Sequence, residues 1–192
     1  MPDFRAITAL GADAPRNFCN GPLSLVENAD LALASLALRR GVGQPVPFDI
    51  TLPGPGRWFR KGSVSAFWTG PDQWMIEAEE RAESDFAREL AAACPGCSVT
   101  EQTDGFVAFE IRADSGERPI LALMSKLVNL DATRFAGGSA TRVGLEHMSV
   151  FAIRRAPAHL AIVGMRSAAE TLWHGLETAI SRLAEIHARE IL

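Results

Sequence analysis

The sequence predicts an α+β protein of two small mixed units whose sheets are mainly antiparallel. Three observations carry that prediction. A hairpin stands at 64–78, where Val64-Ser65-Ala66-Phe67-Trp68 and Trp74-Met75-Ile76-Glu77-Ala78 flank the turn Gly70-Pro71-Asp72. A long amphipathic helix follows near the C-terminus, with Leu172, Leu176, Ile180, Leu183 and Ile186 at helical spacing. Between these two, strands and helices mix without the regular βα alternation that a doubly wound parallel sheet requires.

In chain order, residues 1–22 scatter Pro, Gly, Asn and Asp without periodicity and read as an extended arm. The stretch 31–39 reads as a buried strand. Its Leu/Ala composition also suits helix, but it is short and opens on Leu-x-Leu. Pro45, Pro47, Pro53 and Pro55, with Gly54 and Gly56, forbid regular structure over much of 41–56 and leave room at 48–52 for a short extended piece. After the hairpin, Phe86, Leu90 and intervening alanines predict a helix from about Ser84 that Pro95-Gly96 terminates. A strand at 98–101, a turn at Asp104-Gly105 and the alternation Phe106 to Ile111 come next. Pro119 suits the first turn of a helix running to about Leu127. Strands are expected at 140–146, 149–154 and 159–163, and Ser167 with Glu170 forms a capping box ahead of the last helix. The expected organisation is an arm at 1–22, a first α+β unit at 23–112 and a second at 113–192.

Composition narrows the function classes. A chain of 192 residues, 47% of them hydrophobic, can bury a core without metal or disulfide. The net charge of -4 lacks the basic surplus of a dedicated nucleic-acid binder. The longest apolar runs stop at about eight residues, far short of the ~20 that span a bilayer, so no membrane association is expected. Met1-Pro2-Asp3-Phe4-Arg5 lacks a basic region followed by an apolar run, and the expected location is cytoplasmic. Of the 19 basic residues only Lys61 and Lys126 are lysines. Arginine suits bidentate pairing at interfaces, though genomic base composition gives the same bias and is the simpler reading.

Residues with chemistry of their own do not form a catalytic set. Cys94-Pro95-Gly96-Cys97 follows a helix instead of starting one, so the dipole has the wrong polarity for a redox pair, and no second ligand pair exists for zinc. His147 and His159 lie in or beside strands, and His174 and His187 are thirteen residues apart on the last helix. Glu77, Glu79, Glu80 and Glu83 read as an acidic cluster that caps and solvates a helix start. The chain has no G-x-S-x-G elbow, P-loop, G-x-G-x-x-G or H-E-x-x-H. Accordingly no catalytic, cofactor-binding or metal residue is assigned to this chain.

The hairpin Ala66-Phe67-Trp68-Thr69-Gly70-Pro71-Asp72-Gln73-Trp74-Met75 resembles the W-x-G-P-D-x-W-L signature of the gamma subunits of heterotetrameric sarcosine oxidases. Asp104-Gly105-Phe106-Val107-Ala108-Phe109 is similar to that family's D-G-W-V-A-F strand. Further matching blocks follow in family order: Lys126-Leu127-Val128-Asn129-Leu130-Asp131, Glu146-His147, Phe151 to Arg155, and Val163 to Ala168. The resemblance covers about residues 63 to 190. It implies a fold of the folate-binding aminomethyltransferase type and a noncatalytic role in assembling and supporting the flavin-bearing subunits. The implied partners are alpha, beta and delta subunits, which together convert sarcosine to glycine and peroxide and can pass the one-carbon unit to tetrahydrofolate. FAD, FMN, NAD and tetrahydrofolate would sit on those other subunits. The alternative is a free-standing folate-binding one-carbon transfer protein.

Physical reading gives the signature residues structural roles. Gly70, Pro71 and Asp72 make a tight turn, Trp68 and Trp74 supply apolar area, and Asp104 with Gly105 makes a second turn. Arg57, Trp58, Phe59 and Arg60, with Lys61, form a candidate interface in a Pro/Gly loop; alternatively Trp58 and Phe59 fold back onto their own hairpin. Arg154 and Arg155, adjacent in a strand, face opposite ways, which leaves one of them to pair with a partner's carboxylate.

Overall fold

The computed structural model describes residues 6–128, 130–131 and 135–190, with side chains as far as Ile186. The start of the arm, Asn129 and the His187 side chain lie outside the described residues. The elements are β1 (Asn17–Asn20), β2 (Leu23–Asn28), β3 (Ala32–Ala37), β4 (Trp58–Lys61), β5 (Val64–Gly70), β6 (Gln73–Ala78), α1 (Phe86–Ala93), β7 (Ser98–Glu101), β8 (Phe106–Ala113), α2 (Arg118–Leu127), β9 (Ser139–Leu145), β10 (Met148–Ala156), β11 (His159–Met165) and α3 (Ala169–Glu190).

They build two sheets, ordered β1-β2-β8-β11-β10-β9 and β4-β5-β6-β3-β7. Every pairing between strands is antiparallel. Alternation along the strands sorts the apolar side chains into three layers. On the outer face of the first sheet, Phe109, Ile111, Val150 and Ile162 pack with Leu123 of α2 and Trp173 and Leu176 of α3. On the outer face of the second, Ala34, Ala66 and Ile76 pack with Phe86 and Leu90 of α1. Leu33, Phe67 and Met75 of one inner face meet Phe151, Ile153 and Val163 of the other, with the Phe67 and Phe151 rings 4.9 Å apart. Two hydrogen bonds join the sheets at the β4/β9 corner: the Trp58 amide to the Gly138 carbonyl and the Ala140 amide to the Gly56 carbonyl, at 2.8 and 3.0 Å.

The two sheets repeat one topology. A three-strand meander (β4-β5-β6 or β9-β10-β11) is followed by the strand that precedes it in sequence (β3 or β8), and then by the first strand of the other repeat (β7 or β2). Each repeat therefore lends a strand to its neighbour's sheet. Sheet membership cuts across the expected boundary at 112/113, because β2 and β8 lie in one sheet with β9, β10 and β11. The expected arm is also shorter, since 17–20 pairs with β2 as an edge strand.

Local differences have physical causes. At 48–52 the chain makes a 3-10 turn, Pro47–Asp49, in which Phe48 and Asp49 take left-handed φ values of 50° and 59°; the Phe48 ring thereby stacks on Phe86 at 5.9 Å. Glu146 and His147 are the two turn residues of the β9–β10 hairpin, at φ 47° and 65°, not strand residues. The capping box ahead of the last helix is replaced by a 3-10 turn, Arg166–Ala168, and Glu170 accepts a hydrogen bond from Arg16 at 2.9 Å.

Candidate functional site

The interior between the sheets is not wholly apolar. β6 and β8 each place one carboxylate on an inner face, Glu77 and Glu110, while β10 and β11 supply Arg155 and His159. Arg155 forks to both acids. Its Nη1 and Nη2 donate to Glu77 Oε2 and Oε1 at 2.8 and 2.9 Å, and its Nε and Nη2 donate to Glu110 Oε2 and Oε1 at 3.1 and 3.0 Å. Ser65 Oγ and Trp58 Nε1 donate to Glu77 Oε2 at 2.6 and 3.0 Å, and His159 Nε2 lies 2.6 Å from Glu110 Oε2. The Trp58 ring also sits under the Arg155 guanidinium, 5.4 Å from its centroid.

Burial works against the ionised form of both acids, but the ring of donors outweighs it. Glu110 is held down at about 2, the His159 contact and the Arg155 charge overcoming desolvation. Glu77, completely buried, is likewise held below the usual carboxylate range by Arg155, Ser65 and Trp58. Their charge raises the Arg155 pKa in spite of burial. Carboxylates kept ionised at neutral pH, with their lone pairs committed to fixed donors, cannot deliver protons to a substrate. The cluster is a clasp between the sheets.

A cleft of about 510 Å³ opens at one end of the same seam. It is lined by matching segments of both repeats, 27–33 between β2 and β3 and 103–108 leading into β8, and the N-terminal segment crosses it. That segment is tied down by the buried Glu27 carboxylate, which accepts from the amides of Leu10 and Arg16 at 3.0 and 3.2 Å, and by Arg166 donating to the Ile7 carbonyl at 2.9 Å. Among the described residues no group of three or more His, Cys, Asp or Glu is placed to hold a metal. Burial pushes the Cys94 thiol up to about 11, which keeps it protonated and unreactive at neutral pH.

The signature residues hold the fold locally. Asp72 takes the left-handed position of its turn at φ 56°, Trp74 Nε1 donates to the Pro53 carbonyl at 2.7 Å, and Trp68 packs on the outer cluster of the second sheet. The Pro71-Asp72 turn thus sets both tryptophans on the outer face of the second sheet, with Trp74 tied to the 50–53 loop. Asp104 and Gly105 close a 3-10 turn ahead of β8. The candidate interface residues separate. Arg57, Phe59 and Arg60 remain at the surface, Arg60 paired bidentately with Glu79 at 2.8 and 2.6 Å, whereas Trp58 turns inward to the clasp.

Two expectations need correction. Neither Arg154 nor Arg155 faces a partner: they do point to opposite faces of β10, but both faces of this sheet are covered. Arg154, 1% exposed, donates to the carbonyls of Ala156 and Pro157 and lies 3.6 Å from Glu117 at the start of α2. Glu77 does not solvate a helix start; it is interior. Sequence reasoning also missed Glu110, although a carboxylate between Phe109 and Ile111 in the apolar run Phe106 to Ile111 was a visible signal.

The sequence matches no protein-family model and no curated protein. Among solved structures, a chain of the heterotetrameric sarcosine oxidase from Corynebacterium sp. U-96, in complex with pyrrole 2-carboxylate, superposes with TM-score 0.66 and 20% identity over 84% of this chain and 85% of that one. The glycine cleavage system aminomethyltransferase T from Bartonella henselae superposes with TM-score 0.56 and 13% identity over 78% of this chain and 44% of that one. The chain has their fold. The expected α+β architecture of aminomethyltransferase type is therefore the observed one, spanning less than half of the transferase but most of the oxidase chain. No helix among the described residues is long and apolar enough to cross a membrane.

Proposed function

We propose that this chain is a noncatalytic subunit, of gamma type, in a heterotetrameric sarcosine oxidase. The observation that carries this reading is the superposition on a chain of such an oxidase that is close to this one in length, since the two coverages, 84% and 85%, are nearly equal. The interior chemistry agrees with it: the buried titratable groups Glu77, Glu110, Arg155 and His159 are committed to one another. In this role the chain supports alpha, beta and delta subunits that hold FAD, FMN, NAD and tetrahydrofolate and demethylate sarcosine. Co-expression with the flavoprotein subunits of such an oxidase tests the reading. One complex containing this chain, with flavin absent from the chain purified alone, is the expected result; stoichiometric flavin on the isolated chain, or its exclusion from the complex, would overturn it.

A second reading, a free-standing folate-binding one-carbon transfer protein, has the cleft in its favour, because 510 Å³ is the size of a small-molecule site. Calorimetric titration of the isolated chain with tetrahydrofolate separates the two. Saturable binding in the micromolar range favours the transferase reading, and no heat at millimolar folate favours the assembly reading.

A further inference from the structure

We infer that Cys94 and Cys97 are a peroxide-responsive dithiol, which hydrogen peroxide converts to a disulfide across the turn between α1 and β7. The chemistry is independent of the subunit reading; its use to the protein rests on that reading, because the proposed complex forms peroxide. The backbone brings the two cysteines together. Cys94 caps the C-terminus of α1, and the Cys97 amide donates to its carbonyl at 3.1 Å, so the pair are the first and last residues of a hydrogen-bonded turn. Pro95 and Gly96, the latter at φ 86°, are the residues that a type II turn takes at its centre. Such a turn holds its end Cα atoms within about 7 Å, and a disulfide takes roughly 4.4–6.8 Å. The side chains converge as well. Cys94 is buried in the outer cluster of the second sheet, and Cys97 packs against the same cluster from a half-buried position.

The two thiols have different roles. Cys97 is within reach of solvent and Cys94 is not, so peroxide meets Cys97 first. The Cys97 thiolate attacks one peroxide oxygen; the O–O bond breaks, an S–O bond forms, and the departing hydroxide takes the proton that Cys97 gave up, leaving as water. Cys94, buried and protonated at neutral pH, does not attack peroxide itself. Its sulfur attacks the Cys97 sulfenic sulfur held across the turn, where proximity makes up for the small thiolate fraction. The S–O bond breaks, and the hydroxide released takes the Cys94 proton. One peroxide becomes two waters, and the two sulfurs together lose two electrons.

The place of the pair in the fold decides what kind of dithiol it is. At the end of a helix instead of its start, it receives no dipole stabilisation of a thiolate, which disqualifies it as an exchange catalyst. The same polarity leaves the reduced form unstabilised, so the disulfide persists once closed. A sulfenic acid with no neighbouring thiol goes on to sulfinic acid irreversibly. In a complex that releases peroxide, the pair turns that damage into a reversible bond.

The test exposes the full chain to hydrogen peroxide, blocks free thiols by alkylation and maps the tryptic peptide 89–112, which carries both cysteines. In the wild type that peptide should be lighter by two hydrogens and resist alkylation until dithiothreitol is added. In Cys94→Ala, dimedone should trap Cys97 as sulfenic acid, and irreversible sulfinic acid should accumulate about tenfold over the wild type. The oxidised wild-type chain should melt no lower than the reduced one, because the turn is already closed. A peptide 89–112 that stays alkylatable at peroxide doses that oxidise the exposed Cys19 overturns the inference. So does wild-type Cys97 sulfinic acid at the level of the variant, or an oxidised chain that melts lower. The wild-type mapping and melting decide the matter even if Cys94→Ala does not fold. Failure of the chain to join the flavoprotein subunits would overturn the subunit reading alone and leave the thiol chemistry standing.

Discussion

Replacing Arg155 by leucine would leave Glu77 and Glu110 between the sheets with their shared guanidinium gone. Removing one partner of a buried ion pair costs about 3–5 kcal/mol, because the remaining charge has lost both water and counter-ion. For a chain of this size that lowers the melting temperature by roughly 10 °C, readable by thermal unfolding. Arg155→Lys should recover only part of the loss, since a point-charge ammonium cannot fork to two carboxylates. The same cluster sets an acid limit. The pKa of Glu110 is depressed from its ordinary value of 4.5 to about 2, so its contribution is fully present above about pH 4.5 and is lost as pH falls towards 2. At roughly 1.4 kcal/mol per unit the loss approaches 3 kcal/mol, and the lowered pKa of Glu77 adds in the same direction. Unfolding midpoints measured from pH 6 down to pH 2.5 should fall steeply below 4.5, and less steeply in Glu110→Gln.

At the scale of elements, α3 sits so close to β11 that Gly164 is required for packing. A Cβ there would collide with Leu172 Cδ1 and come within 3.1 Å of Val150 Cγ1. Gly164→Ala should cost about 1–3 kcal/mol in chemical denaturation, with the fold unchanged by circular dichroism. The elements themselves were largely legible. The Gly70-Pro71-Asp72 turn, Pro119 at the start of α2 and the 98–101 strand are written in local chemistry, and local chemistry is what sequence reading resolves. The destinations of side chains were not. Alternation places Arg154 and Arg155 on opposite faces of β10, but nothing near them says that a second sheet covers one face and helices the other. Trp58 could be read as an interface anchor for the same reason, its hydrogen-bond partner Glu77 lying across the sheet.

The whole molecule is a duplication, of which the reading along the chain caught the repeated order of hairpin strands followed by a helix but not the residue-by-residue correspondence. With the structure in view, Ala66, Pro71, Ile76, Phe86 and Leu90 correspond at a constant spacing of 86 to Ala152, Pro157, Ile162, Leu172 and Leu176, and Glu27-Asn28-Ala29-Asp30 echoes Glu101-Gln102-Thr103-Asp104. Identities this sparse carry no signal until the strand order aligns them. The exchange of β2 and β7 between sheets also hides the repeat, because no continuous half of the chain forms a complete sheet. Duplication of this kind yields two sheets packed face to face and clasped by Arg155. The most direct measurement is an omission experiment: the flavoprotein subunits are expressed with and without this chain, and each preparation is assayed by size-exclusion chromatography and for sarcosine-dependent peroxide formation. The account predicts a single active complex that includes the chain, and incomplete assembly with little activity when it is left out. A fully active complex of the same composition without the chain, or peroxide formation by the chain alone, would contradict it.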